Sequence, residues 1–159
     1  MTRAYLSLGS NLEPEQHLRA ALSELRARFG DIVVSPVYRC PAVGFDGPDF
    51  LNLAVAIDSG LDAVALNIWL HALEDRQGRR RDVPRFSSRT LDVDIVLFGD
   101  LVLQGADHLV LPRPELEHAF VLRPLADIAP QVVHPLIGKT LAQLWAEHAA
   151  ADTLQRVAW

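Results

Sequence analysis

The sequence has little cysteine, little lysine and no long hydrophobic stretch. Cys40 is the only cysteine among 159 residues, which excludes an intramolecular disulfide and a metal site built from several cysteines. The longest uninterrupted apolar run, Leu53 to Ile57, is far shorter than the ~20 residues of a membrane-spanning helix. The N-terminus also lacks the apolar core of a secretory signal peptide. We therefore expect a cytoplasmic protein without a membrane partner.

The overall charge is slightly acidic, with 15 Lys plus Arg residues against 20 Asp plus Glu and a net charge of −5. A general nucleic-acid binder would need a basic balance, so we expect no nucleic-acid partner. Half of the residues are hydrophobic, which excludes a disordered chain, and no internal repeat is present. The length favours one domain over residues 1–159 and, we expect, a monomer.

Hydrophobic periodicity predicts a mixture of strands and helices. The predicted strands lie at 4–8, 32–38, 50–59, 90–98, 101–103, 108–111 and 153–157, and the predicted helices at 14–29, 62–78 and 140–150, with a short helical stretch before Phe120 to Leu125. Pro36 indicates an edge position for the second strand, and residues 39–49 are predicted to form a loop. The order β-α-β-β-α-β favours an α+β domain of ferredoxin-like type.

The strongest local pattern is the run from Arg89 to Ile95, which contains Asp92 and Asp94. In a strand these two carboxylates share one face, while Leu91 and Val93 point to the other. Two carboxylates about 7 Å apart on a rigid backbone suit Mg²⁺ that is held jointly with substrate phosphates. Alone, the pattern is more typical of an exposed strand face with two solvated acids.

An arginine cluster directly before these aspartates shifts the interpretation from an exposed strand face towards a binding site. Of the 15 basic residues, 14 are arginine, and six of them fall within a window of 14 residues: Arg76, Arg79, Arg80, Arg81, Arg85 and Arg89. Arginine offers fixed donors that match phosphate oxygens, and several close together repel one another unless an anion lies between them. A solvated loop is the ordinary alternative. Together, the cluster and the aspartates favour a metal–nucleotide site.

Two other patterns are weaker. Phe50 and Asn52 share a strand face, and such a pair can hold a flat heteroaromatic ring by stacking and an edge hydrogen bond; ordinary core packing is the alternative. Gly138-Lys139-Thr140 lacks the first glycine of a phosphate-binding loop, so we expect a turn and a helix cap there. His71 with Glu74 is too sparse for a zinc site.

Taken together, these residues resemble the 6-hydroxymethyl-7,8-dihydropterin pyrophosphokinase family of folate biosynthesis. The likeness covers nearly the whole chain and rests on these segments: Leu8-Gly9-Ser10-Asn11-Leu12, Tyr38-Arg39 with Pro41 and Gly44, Pro48 to Asn52, Glu74, Gln77-Gly78-Arg79, Arg81, Arg89 to Asp94, and Phe120-Val121-Leu122 with Pro124-Leu125. The resemblance implies a ferredoxin-like, mostly antiparallel central sheet with helices on both faces. It also implies Mg²⁺-dependent transfer of pyrophosphate from ATP to the pterin alcohol.

The resemblance assigns roles residue by residue. It implies that Asp92 and Asp94 hold two Mg²⁺ ions and act in catalysis with Arg79 and Arg89. It places the pterin against Cys40, Pro41, Val43, Phe50, Asn52 and Phe120. It places ATP against His71, Glu74, Arg79, Arg81, Arg89, Ile95, Arg113 and His118, and it makes Phe86 a lid residue.

The sequence also departs from the family pattern. Cys40 replaces a frequent threonine, Phe86 replaces a lid tryptophan, and Ser87-Ser88 replaces Gly-Pro. Arg113 and His118 stand where the family commonly has histidine and arginine. These changes keep two alternatives open: a diverged or catalytically weakened paralogue that acts on another reduced pterin, and a noncatalytic ferredoxin-like RNA-binding module.

Overall fold

The computed structural model describes residues 1–79, 82, 87–105, 108–149 and 154–158. Its strands are β1 (Thr2–Ser10), β2 (Val33–Val34), β3 (Val37–Cys40), β4 (Phe50–Ser59), β5 (Asp92–Phe98), β6 (Leu103–Gln104), β7 (Val110–Leu111) and β8 (Gln155–Val157). Its α-helices are α1 (Pro14–Phe29), α2 (Ala63–Arg76), α3 (Ala119–Ile128) and α4 (Leu141–Ala146). No helix in these ranges is long and apolar enough to cross a membrane.

The main sheet has the strand order β5-β1-β4-β3-β8, with β2 also paired to β4. Every pairing between the described strands of this sheet is antiparallel. The predicted α+β architecture with a mostly antiparallel sheet is therefore confirmed. Strand β5 lies at one edge of the sheet, beside β1.

Helices cover both faces of the sheet, as predicted. The larger core packs α1 and α2 against the alternate residues Leu6, Leu8, Leu53, Val55 and Ile57 of the central strands. The second core packs α3 and α4 against Ala54, Val96 and Leu97 on the other face. Alternation along β1 and β4 sends neighbouring residues to these two cores, which is the period expected of strands.

The sequence predictions for residues 32–40 are only partly right. Residues 32–38 form two strands rather than one, because Ser35 binds Ala54 through both its backbone nitrogen and its hydroxyl between them. The predicted edge position holds for β2, whose one partner among the described strands is β4, but is wrong for β3, which lies between β4 and β8. Strand β3 continues to Cys40, which the sequence placed in a loop. The final helix ends at Ala146, earlier than predicted.

The helix caps follow the sequence closely. Pro14 begins α1, and the Asp62 side chain accepts a hydrogen bond from the Ala65 nitrogen at 2.8 Å. Thr140 caps α4 through a reciprocal arrangement with Gln143, in which each side chain binds the other's backbone nitrogen. The segment around Gly138 is thus a turn and a helix cap, as predicted, and has no phosphate-binding loop.

His134 makes the turn before α4 sensitive to pH. Its Nδ1 accepts hydrogen bonds from the nitrogens of Leu136 and Ile137, at 3.1 and 3.2 Å, so it must be unprotonated. Burial lowers the pKa of His134, so this stabilisation is complete above the ordinary histidine value and is lost as the pH falls through the lowered pKa. The His134→Asn variant keeps a hydrogen-bond acceptor that does not titrate. We therefore expect its free energy of unfolding to fall by about 1 kcal/mol less on acidification than that of the wild-type protein.

The measurement is the free energy of unfolding in urea at about pH 7 and about pH 5. Wild-type protein is expected to lose more stability between these two conditions than His134→Asn. Equal losses in the two proteins would contradict this account of the turn.

Candidate active site

A row of residues across three strands forms the floor of the site. In the sheet register Asp92 of β5 pairs with Gly9 of β1, and Gly9 pairs with Asn52 of β4. The next row joins Asp94, Ser7 and Ala54 in the same way. Paired residues point to the same face, so Asp92 and Asn52 face the same side of the sheet from strands whose backbones lie about 10 Å apart, two strand spacings. Between them, the absence of a side chain on Gly9 leaves room for the Asn52 amide, whose Oδ1 lies beside that glycine.

A cavity of about 540 Å³ lies above this floor. Its walls include the predicted nucleotide and metal residues His71, Glu74, Arg79, Arg89, Asp92, Asp94, Arg113 and His118. They also include the predicted pterin residues Cys40, Pro41, Val43, Phe50, Asn52 and Phe120. A volume of this size suits small-molecule ligands. The structure therefore brings both predicted groups of residues to one cavity.

Arginines and aspartates pair with one another at the metal end of the cavity. The Arg89 guanidinium donates to Asp92 Oδ2 at 2.8 Å, and Arg79 Nη1 lies 3.2 Å from Asp92 Oδ1. Arg113 Nη2 lies 3.4 Å from Asp94 Oδ1. Each pair is only partly exposed, so solvent weakens the attraction less than at an open surface. These arginines are thus held where a bound phosphate would meet them.

Glu74 joins α2 to the open edge of the sheet. Its carboxylate accepts a hydrogen bond from the Val93 nitrogen at 2.7 Å and lies 3.3 Å from Arg79 Nη1. The side chain is only 3% exposed. Val93 belongs to edge strand β5, so Glu74 satisfies a backbone donor there and also helps to orient Arg79.

Asp94 is harder to ionise than an ordinary aspartate. Burial and then the charge of Asp92 raise its pKa, and Arg113 only partly opposes them, so that the pKa lies at about 7. No group of three potential metal-ligating side chains occurs among the described residues. Carboxylate oxygens are the ligand type that a hard cation such as Mg²⁺ takes, with substrate phosphates supplying further oxygens, so the two carboxylates fit such an ion.

Aromatic rings line the other end of the cavity. Phe50 meets Phe45 edge-to-face at 6.4 Å between centroids, and Phe120 stacks on His118 at 5.1 Å with planes 7° apart. Asn52 is 5% exposed and donates to the Cys40 sulfur at 3.0 Å. Burial raises the pKa of Cys40 to about 11, which keeps the thiol neutral. The lining at this end suits a flat, uncharged polar ring.

Gly9 is required by the position of Asn52. A Cβ at residue 9 would lie 2.8 Å from Asn52 Oδ1, closer than such atoms approach in proteins. We expect Gly9→Ala to displace the amide and to weaken pterin binding about tenfold, the size of one or two hydrogen bonds. A Cβ at Gly60 meets nothing within 4 Å, so Gly60→Ala is the matched control.

The measurement is the dissociation constant of the pterin alcohol by calorimetry for both variants, with ATP-analogue affinity measured in parallel. Unchanged pterin affinity in Gly9→Ala would refute the assignment of Asn52 to the ring.

Among the predicted site residues that the structure describes, Ile95 is not part of the cavity wall. The Ile95 side chain is fully buried in the core, and its carbonyl accepts a hydrogen bond from Arg113 Nε at 3.0 Å. Arg81 and Phe86 lie outside the described residues. Ile95 thus meets the site through its backbone, which orients Arg113.

Several cavity residues were not among the predicted site residues: Ser7, Gly9, Phe45, Ser87, Val96, Glu115 and Val121. Alternation along β1 already puts Ser7 and Gly9 on the face opposite Leu6 and Leu8, which was a usable indication. Phe45 lies in a loop, where periodicity carries no information about contacts.

A comparison with models of protein families shows which family this chain belongs to. The family model described as 7,8-dihydro-6-hydroxymethylpterin-pyrophosphokinase (HPPK) matches residues 5–130. The chain belongs to this family. The match includes every residue discussed in the cavity, from Ser7 to Val121.

HPPK relatives support the family over most of the chain. The 2-amino-4-hydroxy-6-hydroxymethyldihydropteridine pyrophosphokinase of Pseudomonas aeruginosa is 42% identical over 154 residues, covering 91% of this chain and 90% of the relative. The protein of the same description from Bacillus subtilis is 39% identical over 134 residues, covering 81% and 79%.

A solved structure supports the HPPK fold. The crystal structure of Plasmodium falciparum HPPK-DHPS wild type with SDX-DHP has a TM-score of 0.75 at 14% identity, with 100% of this chain covered. This chain covers 48% of that larger chain, so it spans about half its length. The likeness confirms the ferredoxin-like α+β fold.

Proposed function

We propose that this chain transfers pyrophosphate from ATP to 6-hydroxymethyl-7,8-dihydropterin with Mg²⁺, giving AMP and the pterin pyrophosphate in folate biosynthesis. HPPK membership supports this reaction and ATP as the co-substrate. The observation that carries it is the row of Asp92, Gly9 and Asn52, which sets a metal-type carboxylate and a ring-type amide on the same face of the sheet in one cavity.

Asp92 and Asp94 would hold Mg²⁺, two ions by analogy with the family. When bound, the metal offsets the negative charge of the polyphosphate. Arg79, Arg89 and Arg113 now hydrogen-bond or ion-pair with the aspartates. A triphosphate offers these arginines equivalent acceptor oxygens, so they are proposed to bind it and to stabilise the charge that develops during transfer.

The pterin ring is proposed to lie against Phe50 and Phe120, with its polar edge on Asn52. The neutral Cys40 thiol and the apolar Pro41 and Val43 complete this end of the cavity. His71, Glu74 and His118 are proposed to contact the nucleotide. Arg81 is proposed to bind ATP, and Phe86 is proposed to act as a lid.

The transfer itself needs no covalent intermediate on the protein. The pterin hydroxymethyl oxygen forms a bond to the β-phosphorus, and the bond from that phosphorus to the oxygen of AMP breaks. The hydroxyl proton is released, and AMP is the leaving group. The contribution of the chain is positioning and electrostatic stabilisation, because both reactants are held in one cavity.

The test is AMP release from ATP by the whole chain with Mg²⁺ and a panel of reduced pterin alcohols. AMP formed with the 6-hydroxymethyl compound supports the proposal. AMP formed only with another pterin, or with none, indicates the diverged paralogue.

The RNA-binding alternative predicts salt-sensitive RNA binding. Asp92 and Asp94 would repel a phosphate backbone, so we expect none. We further propose a cytoplasmic monomer without a nucleic-acid or membrane partner.

A further inference from the structure

Asn11 is a buried side chain that the proposed chemistry does not use. It follows β1 directly and is 3% exposed. Its Oδ1 accepts a hydrogen bond from the Arg89 nitrogen at 2.7 Å. Its Nδ2 donates to the Pro48 carbonyl at 3.0 Å and to Ser88 Oγ at 3.1 Å. Both donor hydrogens and the carbonyl oxygen are therefore engaged.

These partners are not local. Pro48 is 37 residues away in sequence, Ser88 is 77 and Arg89 is 78. Asparagine in a turn usually binds backbone within its own turn. Here the side chain instead joins two distant segments, one at Pro48 and one at Ser88–Arg89, so turn formation does not explain its contacts.

The joined segments carry the two halves of the cavity. Pro48 lies two residues before Phe50 and four before Asn52, at the aromatic end. Arg89 binds Asp92 at the metal end. The Asn11 nitrogen also donates to the Arg89 carbonyl at 3.1 Å, so the backbone of Arg89 is held on both its donor and its acceptor. Asn11 therefore touches both segments through one amide.

We propose that Asn11 is a positioning residue that couples the pterin end of the cavity to the phosphate end. The inference rests on the proposed function, since it concerns the two substrates of that reaction. Its amide fixes the position of Pro48, just before β4, relative to the backbone of Arg89. A ligand that orders one segment therefore lowers the ordering cost of the other, and each substrate tightens the binding of its partner.

The experiment uses Asn11→Asp, which has nearly the same shape. The carboxylate keeps an acceptor for the Arg89 nitrogen but has no donor for Pro48 or Ser88. The pterin dissociation constant is measured by calorimetry with and without Mg²⁺ and α,β-methylene ATP, which cannot undergo transfer. The ratio of the two constants is the coupling. We expect Asn11→Asp to reduce this ratio about 5- to 30-fold, the effect of one or two hydrogen bonds.

Ser59→Ala is the matched control. Ser59 is 2% exposed, and its hydroxyl hydrogen-bonds to the carbonyl and the nitrogen of Leu61 at the far end of β4. Ser59→Ala should lower the free energy of unfolding by a comparable amount and leave the coupling ratio unchanged. Asn11→Ser, whose hydroxyl is too short to span the segments, replaces Asn11→Asp if that variant does not fold, with the same loss expected.

If the wild-type protein binds both ligands and the Asn11 variant keeps the wild-type coupling ratio, this inference is overturned while the proposed function stands. An equal loss in Ser59→Ala would also overturn it, because general destabilisation would then explain the effect. Wild-type protein that binds neither ligand would overturn the proposed function and this inference together.

Discussion

Asp94→Ala is expected to lower AMP formation about 10³-fold or more, because it removes one of two carboxylates available to Mg²⁺. The fold should remain, since Val93 and Ile95 on the other face of β5 pack the core and are unchanged. Burial and Asp92 disfavour the ionised Asp94 in the free protein, so its loss removes no favourable buried charge. Turnover and thermal unfolding are measured on the same preparation.

The matched control is Asp100→Ala. Asp100 is an exposed aspartate in the turn after β5, close in sequence but away from the cavity. Its variant should keep wild-type turnover. Full activity in Asp94→Ala would contradict the assignment of Asp94 as a metal ligand.

Arg89→Ala is expected to lower the turnover number about 10²- to 10³-fold, with a smaller change in KM for ATP. Its guanidinium lies 2.8 Å from Asp92 Oδ2, so under the proposed metal-binding role of Asp92 it would face the phosphate on which charge develops. The backbone of Arg89 is held by Asn11, so alanine should leave the segment in place. Arg89→Lys should recover only part of the rate, because lysine lacks the planar fork.

Steady-state kinetics separate these effects, with Arg26→Ala as the control. Arg26 is an exposed arginine on α1, outside the cavity. A rise in KM for ATP with an unchanged turnover number would mean that Arg89 only binds ground-state substrate, contrary to the proposed role.

Local patterns predicted much of the fold because they depend on neighbours in the chain. Alternation in β1 and β4 correctly divided Leu6 from Ser7 and Leu53 from Asn52, since the strand period is two residues. The same rule placed Asp92 and Asp94 on one face. Helix starts at Asp62 and Thr140 followed from capping chemistry, which is also local.

Predictions failed where a distant segment decides the structure. Pro36 indicated an edge, yet β8, more than a hundred residues later, pairs with β3 beside it. That long-range pairing leaves no mark on the sequence around Pro36. The roles of Glu74 at the open edge of β5 and of Asn11 between two loops likewise depend on segments that meet only after folding.

The sequence by itself determined the composition of the site: paired aspartates, clustered arginines, an aromatic with an amide, and the family they indicate. Only the tertiary structure decided how they meet. The antiparallel register places Gly9 between Asp92 and Asn52, and no spacing along the chain contains that information. Register is set by burial of both sheet faces, because a slip of one residue would turn Leu6 and Leu8 away from the core.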